Sequence, residues 1–174
     1  MRDDLRPFYQ RAVDDSYMDH LGVLRWSRDK ENGSKKGDRV GSYDNKGYQR
    51  TTISINGKQK LVRAHLVEWF RHHNELPEPP HQIDHIVPDK KNNHISNLRC
   101  ATHGQNQGNC GKISKKCSSI YKGVTFRKDN KKWQAACAGK KRGCYLTEEL
   151  AALAYNEAAL EHFGEFALLN KIRS

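Results

Sequence analysis

The sequence predicts an α+β protein built from two small, sheet-rich domains. Three observations lead to this. An Asn56-Gly57 dipeptide separates two runs of alternating polar and apolar residues, residues 82–109 read as strand, loop, strand and helix, and three further strand-like runs precede a capped helix near the end. The chain has 174 residues and a mass of 20.0 kDa, which is enough for one ordinary domain or two small ones.

The first half of the chain contains the clearest hairpin signal. Residues 48–55 and 58–62 alternate in polarity on either side of Asn56-Gly57, and this dipeptide favours a two-residue β-turn. Before the hairpin, residues 3–20 form a weakly helical segment. After it, residues 65–70 predict a short helix that the prolines at 77, 79 and 80 bring to an end.

The next segment predicts a compact hairpin followed by a helix. Residues 82–87 and 97–101 read as short strands joined by a polar loop, and Thr102 is placed to cap a brief helix. Asp84-His85 then ends the first strand, Asn97 begins the second and Asn106 lies one turn into the helix. This order can bring Asp84, His85 and Asn106 close together.

Positive charge is concentrated in residues 112–142. This stretch holds eleven lysines and arginines and one acid, Asp129, in a chain whose formal net charge is +11. Tyr121, Phe126, Trp133 and Tyr145 lie among or just after these charges, and such interleaved aromatics are typical of strands rather than of a flexible tail. A basic sheet face is suited to binding the phosphates of a nucleic acid.

The C-terminal region predicts three strands and a helix. The strands are expected near residues 121–127, 132–138 and 142–146, after a linker at 112–120. Thr147 is the expected N-cap of the helix and Gly164 its stop. The apolar face of this helix is expected to consist of Leu150, Leu153, Ala154, Ala158 and Leu160.

Several classes of protein are disfavoured by composition. No window approaches the length of apolar chain that a membrane span needs, and the start of the chain lacks the apolar core of a secretory signal. Five cysteines without a signal peptide favour free thiols in a reducing compartment. Of Cys100, His103, Cys110 and Cys117, only the first two have zinc-ligand spacing, so we do not expect a structural zinc site.

Asp84 and Asn106 offer a carboxylate oxygen and an amide oxygen, which suit Mg²⁺ or Mn²⁺ better than zinc. A neutral histidine beside such an ion can take a proton from water at neutral pH. The residue types therefore predict hydrolysis at a phosphate. An isolated Asp-His pair is more often an ordinary surface pair, so the assignment depends on Asn97 and Asn106 following in strand, strand and helix order.

Residues 21–109 resemble the HNH nucleases of the ββα-metal (His-Me finger) group, and most closely the phage and intron-encoded HNH homing endonucleases. The resemblance is carried by Asp84-His85, Asn92-Asn93, Asn97-Leu98-Arg99, and Asn106 with Asn109. It implies that His85 is the general base and that Asp84 and Asn106 bind one divalent cation. Asn97 would be the middle residue of the motif, with an amide that ties hairpin and helix together. His65 and Asn109 are weaker candidates, for phosphate or structural contacts.

Residues 119–170 resemble the Apetala-two, or ethylene-response-factor, DNA-binding domain, through SIYKGVTF, KKWQAA and the helix sequence AALAYNEAA followed by FGEFALLN. In that family a three-stranded sheet lies in the DNA major groove, with a helix packed behind it. The resemblance implies that the residues facing DNA are Lys122, Arg127, Lys128, Trp133, Gln134, Lys140, Lys141 and Arg142. For Trp133, packing in the core is an equal alternative.

We therefore expect four segments: a helical segment (1–20), an HNH domain (21–111), a linker (112–120) and an Apetala-two-like domain (121–174). The predicted activity is metal-dependent hydrolysis of double-stranded DNA, with a single-strand nick as the expected product, by a monomer or weak dimer in the cytoplasm of a phage-infected host. One alternative is a non-catalytic DNA-binding regulator with a relic nuclease fold. A second is a zinc-stapled RNA-binding factor.

Overall fold

The computed structural model describes residues 4–111 and 118–173, which form two compact units, Met1–Thr102 and His103–Ser174. The division falls between a strand and the helix that follows it, whereas the sequence placed a linker at 112–120. Residues 112–117 of that predicted linker, with Cys117, lie outside the described residues.

From residue 4 onward, the first unit contains two helices and seven strands. The helices are α1 (Arg6–Asp14) and α2 (Ala64–His73). The strands are β1 (Ser16–Met18), β2 (Leu24–Trp26), β3 (Ser42–Tyr43), β4 (Gln49–Ile55), β5 (Lys58–Arg63), β6 (His81–His85) and β7 (Leu98–Thr102), with a 3-10 helix at Ile95–Asn97. They make three antiparallel sheets, β1-β2, β3-β4-β5 and β6-β7.

The predicted hairpin is confirmed as β4 and β5. Ile55 pairs with Lys58 across the two-residue turn, and Asn56 and Gly57 have φ angles of 48° and 76°. Two positive φ angles in succession give the turn a twist that matches the strands, and asparagine followed by glycine adopts them readily. The sequence did not predict the short third strand, β3.

The predicted N-terminal helix is correct only for α1. Residues 16–18 form β1, which pairs with β2 from Ser16↔Trp26 to Met18↔Leu24. Buried Gln49 then joins β2 to β4: its Oε1 accepts the Leu24 N–H at 3.0 Å, and its Nε2 donates to Leu24 O and Val40 O at 2.8 and 2.9 Å. This amide satisfies backbone groups that would otherwise be buried without partners.

The core of the first unit lies between α1, α2 and the β3-β4-β5 sheet. Its buried apolar side chains are Phe8, Tyr9, Ala12, Leu24, Trp26, Val40, Ile53, Val62, Ala64, Val67 and Phe70. Helix α2 extends beyond the predicted residues 65–70 and ends at Asn74, whose left-handed conformation (φ 55°) closes the helix before Pro77 is reached.

The second unit contains α3 (His103–Asn109), β8 (Val124–Arg127), β9 (Lys132–Cys137), β10 (Lys140–Tyr145) and α4 (Glu148–Phe163). The strands form one antiparallel sheet in the order β10-β9-β8. Thr147 caps α4 as predicted, because its Oγ1 accepts the Leu150 N–H at 3.2 Å. At the other end, the Gly164 N–H donates to Leu160 O.

The predicted apolar face of α4 is wrong in one respect. Leu150, Leu153 and Leu160 are 46–52% exposed, and the helix instead turns its small residues toward the sheet. The buried set is Ala151, Ala152, Tyr155, Ala158 and Ala159. Alanine lets the helix backbone approach the strands closely, which leaves no room for leucine on that side. No helix in the described parts of the chain combines the length and apolar character needed to cross a bilayer.

Candidate active site

His85 is the last residue of β6 and is almost completely buried, with 4% of its surface exposed. It pairs with Leu98 of β7, and the preceding residue, Asp84, pairs with Arg99. The backbone hydrogen bonds of this two-stranded sheet therefore hold Asp84 and His85, the acid and imidazole of the predicted motif, at the start of the loop that joins the strands.

The loop after β6 supplies a partner for the imidazole. His85 Nε2 lies 3.2 Å from Asn93 Oδ1, and Asn93 has no exposed surface. Two further rings pack against His85, that of Tyr48 with a centroid distance of 6.0 Å and that of His65 with 5.3 Å. The hydrogen bond with Asn93 and the ring contacts with Tyr48 and His65 thus help to hold the ring of His85.

The surroundings favour a neutral imidazole. Burial lowers the pKa of His85 below its ordinary value of 6.5, and the hydrogen bond that His85 donates to Asn93 and the negative charge of Asp84 only partly oppose this. Removal from water disfavours the charged form of a histidine. His85 is therefore in the protonation state that a general base requires at neutral pH.

Asp84, the acid next to His85, is a buried carboxylate paired with Arg99. Its carboxylate is 8% exposed and its Oδ2 accepts hydrogen bonds from Nε and Nη2 of Arg99, both at 3.1 Å. Within residues 4–111 and 118–173, no group of three or more histidine, cysteine, aspartate or glutamate side chains could hold a metal.

Asn97 ends the 3-10 helix rather than lying within β7, where the sequence placed it. Its amide is a clamp for the loop: Oδ1 accepts the Val87 N–H at 2.8 Å, and Nδ2 donates to Val87 O at 3.3 Å and Asn92 O at 3.0 Å. These three hydrogen bonds hold together the two ends of the loop that carries Asn93.

Asn93 is the residue that the sequence reasoning missed. From the sequence, the Asn92-Asn93 doublet was only part of the motif, with no role assigned to either residue. The doublet comes after His85 and a short polar segment. Its position is the one sequence signal that could have identified a partner for the imidazole. Sequence alone does not say which of two adjacent amides turns inward.

His65, a candidate for a phosphate or structural contact, lies at the start of α2 and is 4% exposed. Its Nδ1 is buried with no hydrogen-bond partner among the described residues. Burial, with smaller contributions from His85 and Arg63, lowers the pKa of His65 to about 3. An uncharged, buried ring favours the structural role over the phosphate contact.

Asn106 and Asn109 both lie on α3, in the second unit. Asn109 is buried and Asn106 is half-buried. Gly108 lets α3 approach the end of α4, since a Cβ at this position would lie 2.6 Å from Cγ of Phe163. The glycine that weakens the intrinsic helix propensity of α3 therefore has a packing function.

The predicted DNA-facing residues divide between two sides of the β8-β9-β10 sheet. Trp133 pairs with Phe126 and Tyr145 and packs against the core beneath α4. Because side chains alternate along a strand, Gln134 lies on the opposite, outer face. The placement of Trp133 on the DNA side is corrected: its packing follows the core alternative.

The basic candidates differ in exposure. Lys122 is half-buried and donates from Nζ to Gly108 O at 2.7 Å, and Arg142 is half-buried and pairs with Glu161 at 3.4 Å. Burial lowers the pKa of Lys122. Four predicted residues are exposed on β8, β10 or the β8–β9 turn: Arg127, Lys128, Lys140 and Lys141. Lys132, which was not among the predicted set, pairs with Arg127 and is also exposed.

Part of the chain is similar to known proteins. The family model described as HNH endonuclease matches residues 62–107, which contain β6, the loop, β7 and most of α3. An uncharacterized HNH endonuclease of Acanthamoeba polyphaga mimivirus is 44% identical over 96 residues, and the match covers 52% of this chain and 47% of that protein. This chain thus spans about half the length of that relative.

One solved structure, of the HNH homing endonuclease I-HmuI and described as showing DNA binding and cleavage, is 25% identical to this chain. The match covers 53% of this chain and 49% of that chain, with a TM-score of 0.39. Residues 62–107, the segment that matches the HNH endonuclease family model, include Asp84, His85, Asn97 and Asn106.

Proposed function

We propose that this protein is a divalent-metal-dependent endonuclease that hydrolyses phosphodiester bonds in double-stranded DNA. The observation that carries the proposal is the placement of His85: a neutral, buried imidazole held by Asn93 at the end of β6, next to Asp84, within the matched segment. Such a histidine has the protonation state and the fixed orientation needed to accept a proton from water.

In the proposed reaction, His85 takes a proton from a water molecule as the water oxygen forms a bond to phosphorus. The bond between phosphorus and the 3′ oxygen breaks in line, and the leaving oxygen gains a proton from solvent. The products are a 5′-phosphate and a 3′-hydroxyl. Tyr48 and His65 exclude bulk water from one side of the ring, and Asn97 keeps the loop closed around it.

The metal assignment rests on ligand chemistry and on the motif. Asp84 would supply a carboxylate oxygen and Asn106 an amide oxygen, and both are hard donors that suit Mg²⁺ or Mn²⁺. A divalent ion bound there would stabilise the negative charge that develops on the phosphate and on the leaving oxygen. Arg99 would orient the Asp84 carboxylate through its two hydrogen bonds.

We propose that the second unit directs the enzyme to DNA in the manner of the Apetala-two-like domains. The outer face of its sheet carries exposed cations, Arg127, Lys132 and Lys141, around Gln134. Basic side chains on a rigid sheet can neutralise backbone phosphates while amide groups contact base edges. One HNH centre per chain favours a nick over a double-strand break.

The experiment is a nicking assay on supercoiled plasmid DNA with Mg²⁺ or Mn²⁺. We expect conversion to the open-circular form, its loss in EDTA, and at least a 100-fold reduction in rate for His85→Ala. His81→Ala is the matched control, because His81 lies at the exposed start of the same strand. Full activity in His85→Ala would refute the assignment of the base.

The non-catalytic alternative makes a different prediction for the same protein. A regulator with a relic nuclease fold would bind DNA in a salt-sensitive manner, would be indifferent to EDTA, and would leave the plasmid supercoiled under every metal condition. That combination of results would replace the proposed activity.

A further inference from the structure

We infer that Asn93 is a positioning residue that fixes the proton of neutral His85 on Nε2, so that Nδ1 is the nitrogen that accepts the proton from water. This inference rests on the proposed function for its consequence in catalysis. Its structural content, which is the identity of the protonated nitrogen, can be measured without any activity.

The orientation of the Asn93 amide is determined by its surroundings. Nδ2 donates to the backbone carbonyl oxygens of Gly22 and Lys91, both at 3.1 Å. Rotating the amide by 180° would place its oxygen against two carbonyl oxygens in a site with no exposed surface, which would leave buried acceptors unsatisfied. The amide oxygen must therefore face the imidazole.

The orientation of the amide decides the tautomer of His85. An amide oxygen can only accept a hydrogen bond, so the nitrogen that faces it at 3.2 Å, Nε2, must carry a proton. In the neutral ring the lone pair is then on Nδ1. Since a neutral imidazole has one donor and one acceptor nitrogen, fixing one nitrogen assigns the other.

The ring is also held against rotation. Tyr48 and His65 pack against His85, and these two rings contact each other with a centroid distance of 5.4 Å. A change of ring orientation would have to displace aromatic side chains from a buried site. The geometry thus fixes both which nitrogen is basic and which way it points.

Asn93 is in turn anchored from a distant part of the chain. Its backbone N–H donates to Gly22 O at 2.9 Å, in addition to the side-chain bond to the same oxygen. Gly22 lies in a turn that Asp19 stabilises, because Asp19 Oδ1 accepts the N–H groups of Leu21 and Val23 at 2.9 Å each. The turn before β2 therefore acts on His85 through Asn93.

The direct test is the tautomer itself. In ¹⁵N-labelled, metal-free protein at pH 7.5, long-range ¹H–¹⁵N correlation spectra should show the ring nitrogens of His85 in the pattern of the Nε2–H tautomer. A wild-type spectrum with the proton on Nδ1 would overturn the inference, whatever happens to any variant.

Substitutions test the role of the amide. Asn93→Ala should lose the single tautomer and lower kcat about 10- to 100-fold with little change in KM, as removal of groups that orient active-site ligands commonly does. Asn93→Asp keeps an acceptor for Nε2–H, but its second oxygen would face the carbonyl oxygens of Gly22 and Lys91, so it should keep the tautomer only at a cost in stability. Asn92→Ala, on the adjacent amide, should keep the wild-type pattern. Should Asn93→Ala fail to fold, the wild-type spectrum still decides the question.

The spectra and the nicking assay separate two kinds of failure. An Nε2–H tautomer in a protein that never nicks DNA would refute the proposed function and leave the positioning role intact. Nicking that depends on His85, combined with a proton on Nδ1 or with an Asn93→Ala variant of unchanged tautomer and kcat, would refute the positioning role alone.

Discussion

The carbonyl oxygen of Gly22 accepts two hydrogen bonds from Asn93, one from its backbone N–H at 2.9 Å and one from its side-chain amide at 3.1 Å. The two residues are separated by 71 positions in the chain. Since Asn93 also contacts His85, this one oxygen connects the turn between β1 and β2 to the candidate base.

Gly22→Ala should therefore be destabilising and should lower activity. Gly22 has a φ of +76°, and an added Cβ would lie 2.5 Å from Asn92 Oδ1 and 2.7 Å from the Asn93 backbone nitrogen. We expect a loss of about 1–3 kcal/mol in the free energy of unfolding, from backbone strain and the clash together. Urea denaturation measures this directly.

Gly33→Ala is the matched control for that change. Gly33 also has a positive φ, +92°, but an added Cβ would meet nothing within 4 Å. It should cost about 1 kcal/mol from backbone strain alone and leave nicking unchanged. Equal losses of stability in Gly22→Ala and Gly33→Ala would show that the close approach of residue 22 to Asn93 contributes nothing to the stability of the protein.

His65 should make the protein less stable in acid. Its pKa is about 3 in the folded protein, against 6.5 for the unfolded chain. Below pH 6.5 the unfolded state binds a proton that the folded state does not, so the free energy of unfolding falls as pH falls toward 3. The expected loss is about 1.4 kcal/mol for each pH unit. His85, Arg63 and Asp44 are the charged or titratable groups that act on His65.

His65→Phe should remove this contribution and flatten the decline in stability between pH 7.5 and pH 5, by about 2 kcal/mol over that interval. The comparison is made by urea denaturation at both pH values, with the exposed His94→Phe as control. A His65→Phe protein that loses as much stability on acidification as the wild type would exclude His65 as the cause.

The alanine face of α4 should be much less tolerant than its leucine face. Ala152 is fully buried against the sheet, whereas Leu153, the next residue, is 46% exposed. Ala152→Leu should overpack the interface and cost about 1–3 kcal/mol, while Leu153→Ala should change stability by about 0.5 kcal/mol or less. Thermal unfolding of the two variants checks this, and the reverse order would show that α4 packs through its leucines.

The outer face of the second sheet should contribute to DNA binding through its cations. Lys132 and Lys141 are both exposed. Lys132 pairs with Arg127 of β8, and Lys141 pairs with Ala136 of β9. Replacing both with alanine should weaken binding to any duplex and reduce the slope of log K against log salt by about 2, since each phosphate contact contributes about 0.9.

Titrations at several salt concentrations measure that slope. Trp133→Phe serves as the control, because Trp133 packs on the opposite side of the sheet and the change should leave the slope as it is. A slope that is unchanged in the double lysine variant would place the DNA contacts elsewhere on the protein.

The turns and helix caps that depend on residues close together in the chain were predicted from the sequence. The Asn56-Gly57 turn joins the hairpin as expected, and Thr147 and Gly164 bound α4. The predicted three-stranded sheet is also present, with its strands displaced by a few residues at their ends. Turn and cap preferences act over two to four residues, so they can be recognised in a short stretch of sequence.

By itself, the sequence determined the local elements and the order of the motif residues, since hydrogen bonds to the next few residues decide both. The tertiary structure alone decided that Asn93 turns inward to His85, that Gly22 anchors it, that Trp133 faces the core and that α4 packs through alanines. Each of these depends on how closely distant segments approach, and intrinsic preferences at one position carry no information about that distance.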